Sequence, residues 1–211
     1  MFYKSQSISV FSMRKDEMEL TLFRHGETVA NAKGEWQGST DSDLTESGKL
    51  ELIEVARSSL PKNIDLILHS GMARSVKSAE IISKIIGVQR IGCCDLLRDR
   101  NLGAGESMTS ASIMEVFGLK FTNILDNTID NLPGSENVEE LKNRVKKARN
   151  LLFRNYRGKN VLAVSHGGFI RMFYKIYIGD PHSIRFTNCS FIKVRMNETE
   201  TILLEKRVMY L

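Results

Sequence analysis

"LTLFRHGETVAN" (residues 20–31) sets an apolar run directly ahead of an Arg-His pair and a glycine. Leu20, Leu22 and Phe23 read as a strand buried on both faces, because such strands are apolar almost throughout. The end of a buried strand is a costly place for Arg24 and His25, so the core does not explain them. Gly26 is expected to permit the sharp turn that frees the imidazole. A second stretch repeats the arrangement. "NVLAVSHGGFIR" (residues 160–171) runs an apolar strand into His166-Gly167-Gly168. A third, "DLILHSGMARSVKSAE" (residues 65–80), ends near His69-Ser70 and places Arg74 in the first turn of a following helix.

Working outward, apolar runs at residues 19–23, 64–68, 88–91 and 161–164 are expected as strands buried on both faces. Helical patterns lie between them. Thr45 is placed to cap a helix carrying Leu50, Leu52, Ile53 and Val55. Residues 73–86 carry Val76, Ala79, Ile82, Ile85 and Ile86 at helical spacing. Residues 137–156 open on Asn-Val-Glu-Glu and are followed by Gly158, and residues 169–178 form a short amphipathic run. The tail reads as a hairpin, residues 191–196 and 201–208, around Asn197-Glu198. Strand and helix alternate, which predicts an α/β fold: a three-layer α/β/α sandwich around a mainly parallel sheet. Ligands of such sheets gather where the strands end. Two histidines and two arginines are therefore expected at one sheet edge.

Composition narrows the partners. The net charge is +5, with 30 basic and 25 acidic side chains. The one basic cluster, Lys142, Arg144, Lys146, Lys147 and Arg149, reads as a solvated helix face. Nucleic-acid binding calls for a basic stripe with aromatic partners, and no nucleic-acid partner is expected. No apolar run has the length of a bilayer span, so no membrane partner is expected either. Residues 1–18 lack a continuous apolar core and read as a flexible N-terminal extension, not a secretory signal, ahead of a single domain at 19–211. Cys93 and Cys94 are adjacent, Cys189 is alone, and no metal-ligand spacing appears. Free thiols in a reducing, cytoplasmic setting and no metal are the expectation.

Arginine presents a planar fork of donors suited to phosphate oxygens. Neutral histidine is a nucleophile and charged histidine a donor. Glycine lets backbone N–H groups approach an anion closely. Together these suit phosphoryl transfer: two arginines hold the oxygens, one histidine attacks phosphorus, and the other stabilises the equatorial charge. Arginine and imidazolium would supply the positive charge, so neither metal nor cofactor is called for.

On these residues the chain resembles the histidine phosphatase superfamily, which includes cofactor-dependent phosphoglycerate mutases. "LFRHGETVAN" is similar to the family signature. "EWQGSTDSDLTESG" resembles the segment after it, with Gly38, Asp41, Leu44, Thr45 and Gly48 in place. "HSGMARSVKSAE" resembles the Ser-x-x-x-Arg helix, and "LLRDRNLG" the stretch that carries the proton donor, with Asp99 where the family usually has Glu. "PGSENVEELKNR" resembles the segment before a long helix, and "VLAVSHGGFIR" carries the second histidine. The likeness spans about residues 20–190 with the blocks in family order.

The resemblance implies roles. His25 becomes phosphohistidine, its other ring nitrogen held by a backbone carbonyl. Arg24, Arg74 and His166 bind phosphoryl oxygens. Asn31, Gln37, Gly38 and Gly167 contact phosphate or substrate. Asp99 protonates the leaving alcohol and then activates water, as microscopic reversibility asks of one carboxyl. Departures are visible too. Asp99 is one methylene shorter than Glu, and Glu106 is the nearest competing acid. No aromatic stands near Gly105, and Ser78 replaces a common Thr. Glu136 either orients an arginine or starts a helix. His69 reads as a wall or structural residue and His182 as exposed. Trp36 either lines the opening or caps a hydrophobic edge, and Asn188 and Ser190 support the site from behind.

The reaction implied is that of a histidine acid phosphatase-type phosphomonoesterase acting on a small phosphorylated metabolite. A mutase is the alternative, but mutases of the family carry a longer basic insertion before the second histidine, and residues 98–132 are short with few cations. A non-catalytic phospho-ligand-binding domain is the other alternative, which loss of either motif histidine would mark; both are present. Neither the substrate nor the oligomeric state is legible in the sequence.

Overall fold

The computed structural model describes residues 14–118, 132–182 and 184–210. Met18–Arg24 forms β1, and Met18, Leu20, Leu22 and Phe23 are all fully buried, as its apolar run requires. Thr28 caps a single helical turn, α1 (Val29–Ala32), through a capping box with Asn31. Thr45 caps α2 (Glu46–Ser58) by accepting from the Gly48 N–H at 2.9 Å. β2 (Leu66–His69) leads into α3 (Ala73–Ile86), which stops at Gly87 in the left-handed conformation. β3 (Ile91–Cys93) precedes a 3-10 turn at Asp95–Leu97 and a second at Gly103–Gly105. α4 (Ser110–Phe117) follows. Asn137 and Glu140 close a capping box on α5 (Val138–Tyr156). β4 (Asn160–Ser165) runs through His166 into α6 (Gly167–Tyr177). β5 (Ile184–Arg185), the hairpin β6 (Phe191–Met196) and β7 (Thr201–Arg207), and β8 (Met209–Tyr210) complete the described chain.

The main sheet has the order β3-β2-β4-β1-β6-β7. β1, β2, β3 and β4 pair in parallel, while β6 and β7 add an antiparallel edge. Side chains alternate across it. Leu20, Leu22, Leu66, Leu68, Val161 and Ala163 pack against α5 and α6 on one face. Phe23, Ile67, Leu162 and Val164 pack with Leu52, Val55, Ala79 and Ile82 of α2 and α3 on the other. The three-layer α/β/α sandwich with a mainly parallel sheet is therefore observed.

Two strand expectations shift. β2 begins at Leu66, so Ile64 precedes the strand while still packing in the core with α2 and α3. The run at 88–91 is not a strand buried on both faces. The strand begins at Ile91, which is exposed, because β3 is the sheet edge and pairs only with β2. A two-stranded antiparallel sheet, β5-β8, has no sequence counterpart. The extension expected at 1–18 lies mostly outside the described residues; β1 itself opens at Met18.

Register matters more for the site than the strand count. Arg24 of β1 is the parallel partner of Ser165 of β4. His25 and His166, the next residues of each chain, leave the sheet side by side, and the His25 N–H donates to the Ser165 carbonyl at 3.1 Å.

Candidate active site

The ends of β1 and β4 open into a cleft of about 430 Å³. Its lining includes Arg24, His25, Asn31, Gln37, Gly38, Asp99 and Gly167. Arg74 and His166 lie behind that lining, fully buried. All nine side chains or glycines expected at the site thus gather in one place.

His25 is 1 % exposed. Its Nδ1 donates to the Gly26 carbonyl at 2.8 Å, which fixes the tautomer and leaves Nε2 with its lone pair. Burial, then the charges of Arg74 and Arg24, hold the ring well below the ordinary histidine range; the Gly26 bond opposes them. The ring is thus neutral at neutral pH, the form a nucleophile needs. Gly26 serves a different end from the one expected. It has no positive φ, and a Cβ there would meet Leu52 Cδ1 of α2 at 2.6 Å. Glycine is required for close packing, not for a special turn.

His166 stands with its ring centroid 5.1 Å from that of His25. Its Nε2 lies 2.7 Å from Ser70 Oγ, which lies 2.7 Å from Ser75 Oγ. Ser75 donates its only proton to the Met72 carbonyl at 2.8 Å. Ser70 must then donate to Ser75 and accept from His166, so Nε2 carries the proton. Nδ1 is buried and unpartnered, 3.8 Å from Asp99 Oδ2, beyond hydrogen-bond reach. Burial, then Arg74, His25 and Arg24, push this ring well below its usual range too. In the ligand-free protein burial and the arginines outweigh Asp99, 3.8 Å away, so the ring expected as an imidazolium in the reaction rests neutral before a ligand binds.

Arg74 is 0 % exposed. It donates to the carbonyls of Thr40 (2.6 Å) and Gly38 (2.9 Å), to Asp41 Oδ1 (2.7 Å) and to Asp99 Oδ2 (3.4 Å), while Nε has no partner. Asp41 also accepts the first N–H groups of α3, from Ala73 at 2.7 Å and Arg74 at 3.3 Å, so one carboxylate fixes both the helix and its arginine. Arg24 donates to the Phe186 carbonyl at 2.5 Å and keeps a buried Nε without a partner. Gly38 has φ +54, and a Cβ there would meet Glu106 Oε1 at 2.4 Å.

Asp99 is one-fifth exposed, its Oδ1 accepting from the Arg100 N–H at 3.0 Å. Glu106 is occupied elsewhere: its Oε1 accepts from Ser39 N–H at 2.7 Å and Leu102 N–H at 3.2 Å, bracing two loops. Gln37 Nε2 donates to Thr28 Oγ1, and Asn31 Oδ1 accepts from Asn188 Nδ2, which also donates to the His25 carbonyl. Ser78 Oγ accepts from Gly26 N–H and donates to the Arg74 carbonyl, tying α3 to the first loop. Trp36 lines the cleft and donates to Ser110 Oγ. His69 and His182 are not among the cleft residues; their rings meet Gly71 N–H and Asp180.

Sequence reasoning gave no role to the Ser70-Ser75 relay, to Asp41, or to the wall made by Arg171, Arg185, Phe186 and Thr187. Ser70 and Ser75 do bracket the helix start beside Arg74. The wall joins one residue of α6, Arg171, to Arg185 at the end of the two-residue β5 and to the Phe186-Thr187 segment after it, and no periodicity marks that segment.

Two buried neutral histidines give stability a definite pH dependence. In the unfolded chain each takes a proton near pH 6.5; in the folded protein neither does until well below that. Stability is therefore expected to fall as pH drops below about 6.5, with a slope approaching about 2.7 kcal/mol per pH unit for the pair. Urea unfolding from pH 7.5 to 5 measures it. A slope unchanged in His25→Asn/His166→Asn would refute the neutral pair.

Fold and site together define an α/β protein built around a pocket of two histidines and two arginines at the ends of parallel strands. The chain belongs to the histidine phosphatase superfamily, branch 1, whose profile matches residues 20–207. It is 30% identical over 192 residues to a probable phosphoglycerate mutase of Escherichia coli, covering 86% of each chain. It is also 30% identical over 190 residues to a putative phosphoserine phosphatase of Hydrogenobacter thermophilus, covering 87% of this chain and 92% of the relative. The solved structure of Bacillus stearothermophilus YhfR superposes with a TM-score of 0.78 at 23% identity, over 89% of this chain and 96% of that one, a likeness of fold.

Proposed function

We propose that the protein is a phosphomonoester hydrolase acting through a phosphohistidine on a small phosphorylated metabolite. The observation that carries this reading is His25: a neutral ring, its Nδ1 tied to a carbonyl and its Nε2 left at a cleft flanked by Arg24, Arg74 and His166. Nε2 attacks phosphorus, the bond to the alcohol oxygen breaks, and protonated Asp99 gives that oxygen its proton. Asp99, now a carboxylate, takes a proton from water as the water oxygen attacks phosphorus. The P–N bond breaks, and phosphate leaves. Arg24 and Arg74 hold the equatorial oxygens throughout, and in this reading no step calls on a metal. A phosphoryl dianion against Nδ1 of His166 supplies the counter-charge that the ring lacks, so the ring binds a proton with the ligand and donates from Nδ1.

Gly167 leaves room for the phosphoryl group beside Arg24, Gly38 lets its loop close against Glu106 at the cleft edge, and Asn31 and Gln37 shape the substrate side. Asp99 is favoured over Glu106 because only Asp99 lines the cleft beside Arg74 and His166. Asp99→Asn is expected to lower kcat for an alkyl phosphate by about 10²–10⁴-fold, and Glu106→Gln by far less. The reverse order would move the donor to Glu106. Hydrolysis is favoured over mutase chemistry because residues 98–132 hold few cations to clamp a bisphosphorylated cofactor. With 3-phosphoglycerate, release of inorganic phosphate is the expected result. Conversion to 2-phosphoglycerate, stimulated by 2,3-bisphosphoglycerate, would establish the mutase instead. The three unbridged cysteines support a reducing, cytoplasmic setting.

A further inference from the structure

The short carboxyl of Asp99 raises the question of what holds its backbone in place. The chain from Asp95 to Asn101 is a 3-10 turn followed by residues outside any helix or strand, with no strand ladder to fix it. Arg144 of α5 does so instead. Its five N–H donors meet five acceptors. Nη1 donates to the carbonyls of Leu96 (3.0 Å) and Arg98 (2.6 Å). Nη2 donates to the Asp99 carbonyl (3.1 Å) and to Glu136 Oε2 (2.6 Å), and Nε to Glu136 Oε1 (2.7 Å). The guanidinium also stands 5.8 Å from the ring centroid of Phe169, a buried residue in the first turn of α6. One planar group thus ties together the Asp99 loop, the start of α5 and the helix that begins at His166. A rigid fork suits this task, which a lysine, with a single charged point, does not match.

We propose that Arg144, braced by Glu136, is the positioning residue of the proton donor. It fixes the Asp99 backbone so that a carboxyl one methylene short still reaches the leaving oxygen. The tolerance is narrow: a Cβ on Gly168 would already lie 3.0 Å from Asp99 Oδ1. This inference rests on the role of Asp99 given above, and its test separates the two.

An alkoxide needs a proton to leave, whereas p-nitrophenolate does not. A displaced Asp99 therefore slows attack on an alkyl phosphate but spares attack on p-nitrophenyl phosphate. Hydrolysis of the phosphohistidine needs the same carboxyl as base and slows for both. In Arg144→Gln, rapid mixing with p-nitrophenyl phosphate is expected to give a burst of p-nitrophenolate equal to the enzyme. Steady turnover should follow, about 10²-fold below wild type. The alkyl phosphate should give no burst and a loss of at least that size. Glu136→Gln, a milder change, is expected to show the same split at smaller size, and it decides the question if Arg144→Gln does not fold. Equal losses in the burst rate for both esters would overturn the proposal, since general disorder of the site does that. Unchanged turnover of both would overturn it as well. Absence of phosphohistidine in wild-type protein quenched and denatured at alkaline pH, where the P–N bond survives, would instead refute the reaction itself.

Discussion

His25→Ala is expected to lower kcat for any phosphomonoester by at least about 10⁴-fold, the scale seen when a nucleophile is removed from a site whose parts act together. Labelling of the protein by a phosphate donor should vanish with it. The pocket should nevertheless still bind inorganic phosphate, because Arg24 and Arg74 are held by partners that do not include His25: the Phe186 carbonyl for one, Asp41, Asp99 and two carbonyls for the other. Binding with turnover lost separates the attacking group from the anion cradle. Activity within tenfold of wild type would rule out covalent catalysis by His25. The variant should also hold its stability better in acid, since one buried neutral ring is gone.

Arg74→Ala is expected to do two kinds of damage at once. Arg74 is fully buried and neutralises Asp41 while restraining Asp99, whose side chains are 33% and 19% exposed. Removing it takes the cation from both carboxylates, which keep only backbone N–H donors, and leaves two carbonyls without their guanidinium donor. Losing one partner of a buried pair costs about 3–5 kcal/mol; partial exposure of the carboxylates places this case near 3 kcal/mol. The loss of a donor to phosphoryl oxygens should lower kcat/KM by about 10³-fold. Arg74→Lys restores charge but not the fork, and should recover more stability than activity. Urea unfolding beside steady-state kinetics reads the two effects separately. Wild-type stability in Arg74→Ala would mean that Asp41 and Asp99 do not depend on it.

The sequence makes the buried strands legible because a strand covered on both faces is nearly all apolar. β1 and β4 were therefore placed within a residue, and residues 73–86 form α3 as expected. Caps did the same for α2 and α5, where Thr45 and Asn137 accept from the first turn. Legibility fails where burial is one-sided or the element is very short. β3 pairs on one side only, so its exposed Ile91 carries no pattern, and β5 and β8 have two residues each. In the site, His25, His166, Arg24 and Arg74 announce themselves as polar residues at strand or helix ends. Their supports do not. Asp41 reaches Arg74 from a distant loop, and Arg144 looked like one more cation on a solvated helix face. Only the folded backbone brings three carbonyls to its fork. Glu136 resolves the same way, as the partner of Arg144 and not as a simple helix start.

The pairing of Arg24 with Ser165 has a consequence for how the protein comes to be active. Those residues are far apart in the chain, and β2, β3 and, among the described residues, five α-helices are threaded between them. Contacts so distant in sequence form slowly, because a long loop must close before any bond can hold it. No early fragment of a nascent or refolding chain contains both histidines, however well its local helices have formed. Turnover is therefore expected to return, after dilution from denaturant, no sooner than β4 pairs with β1, so its recovery should lag behind the recovery of helical signal.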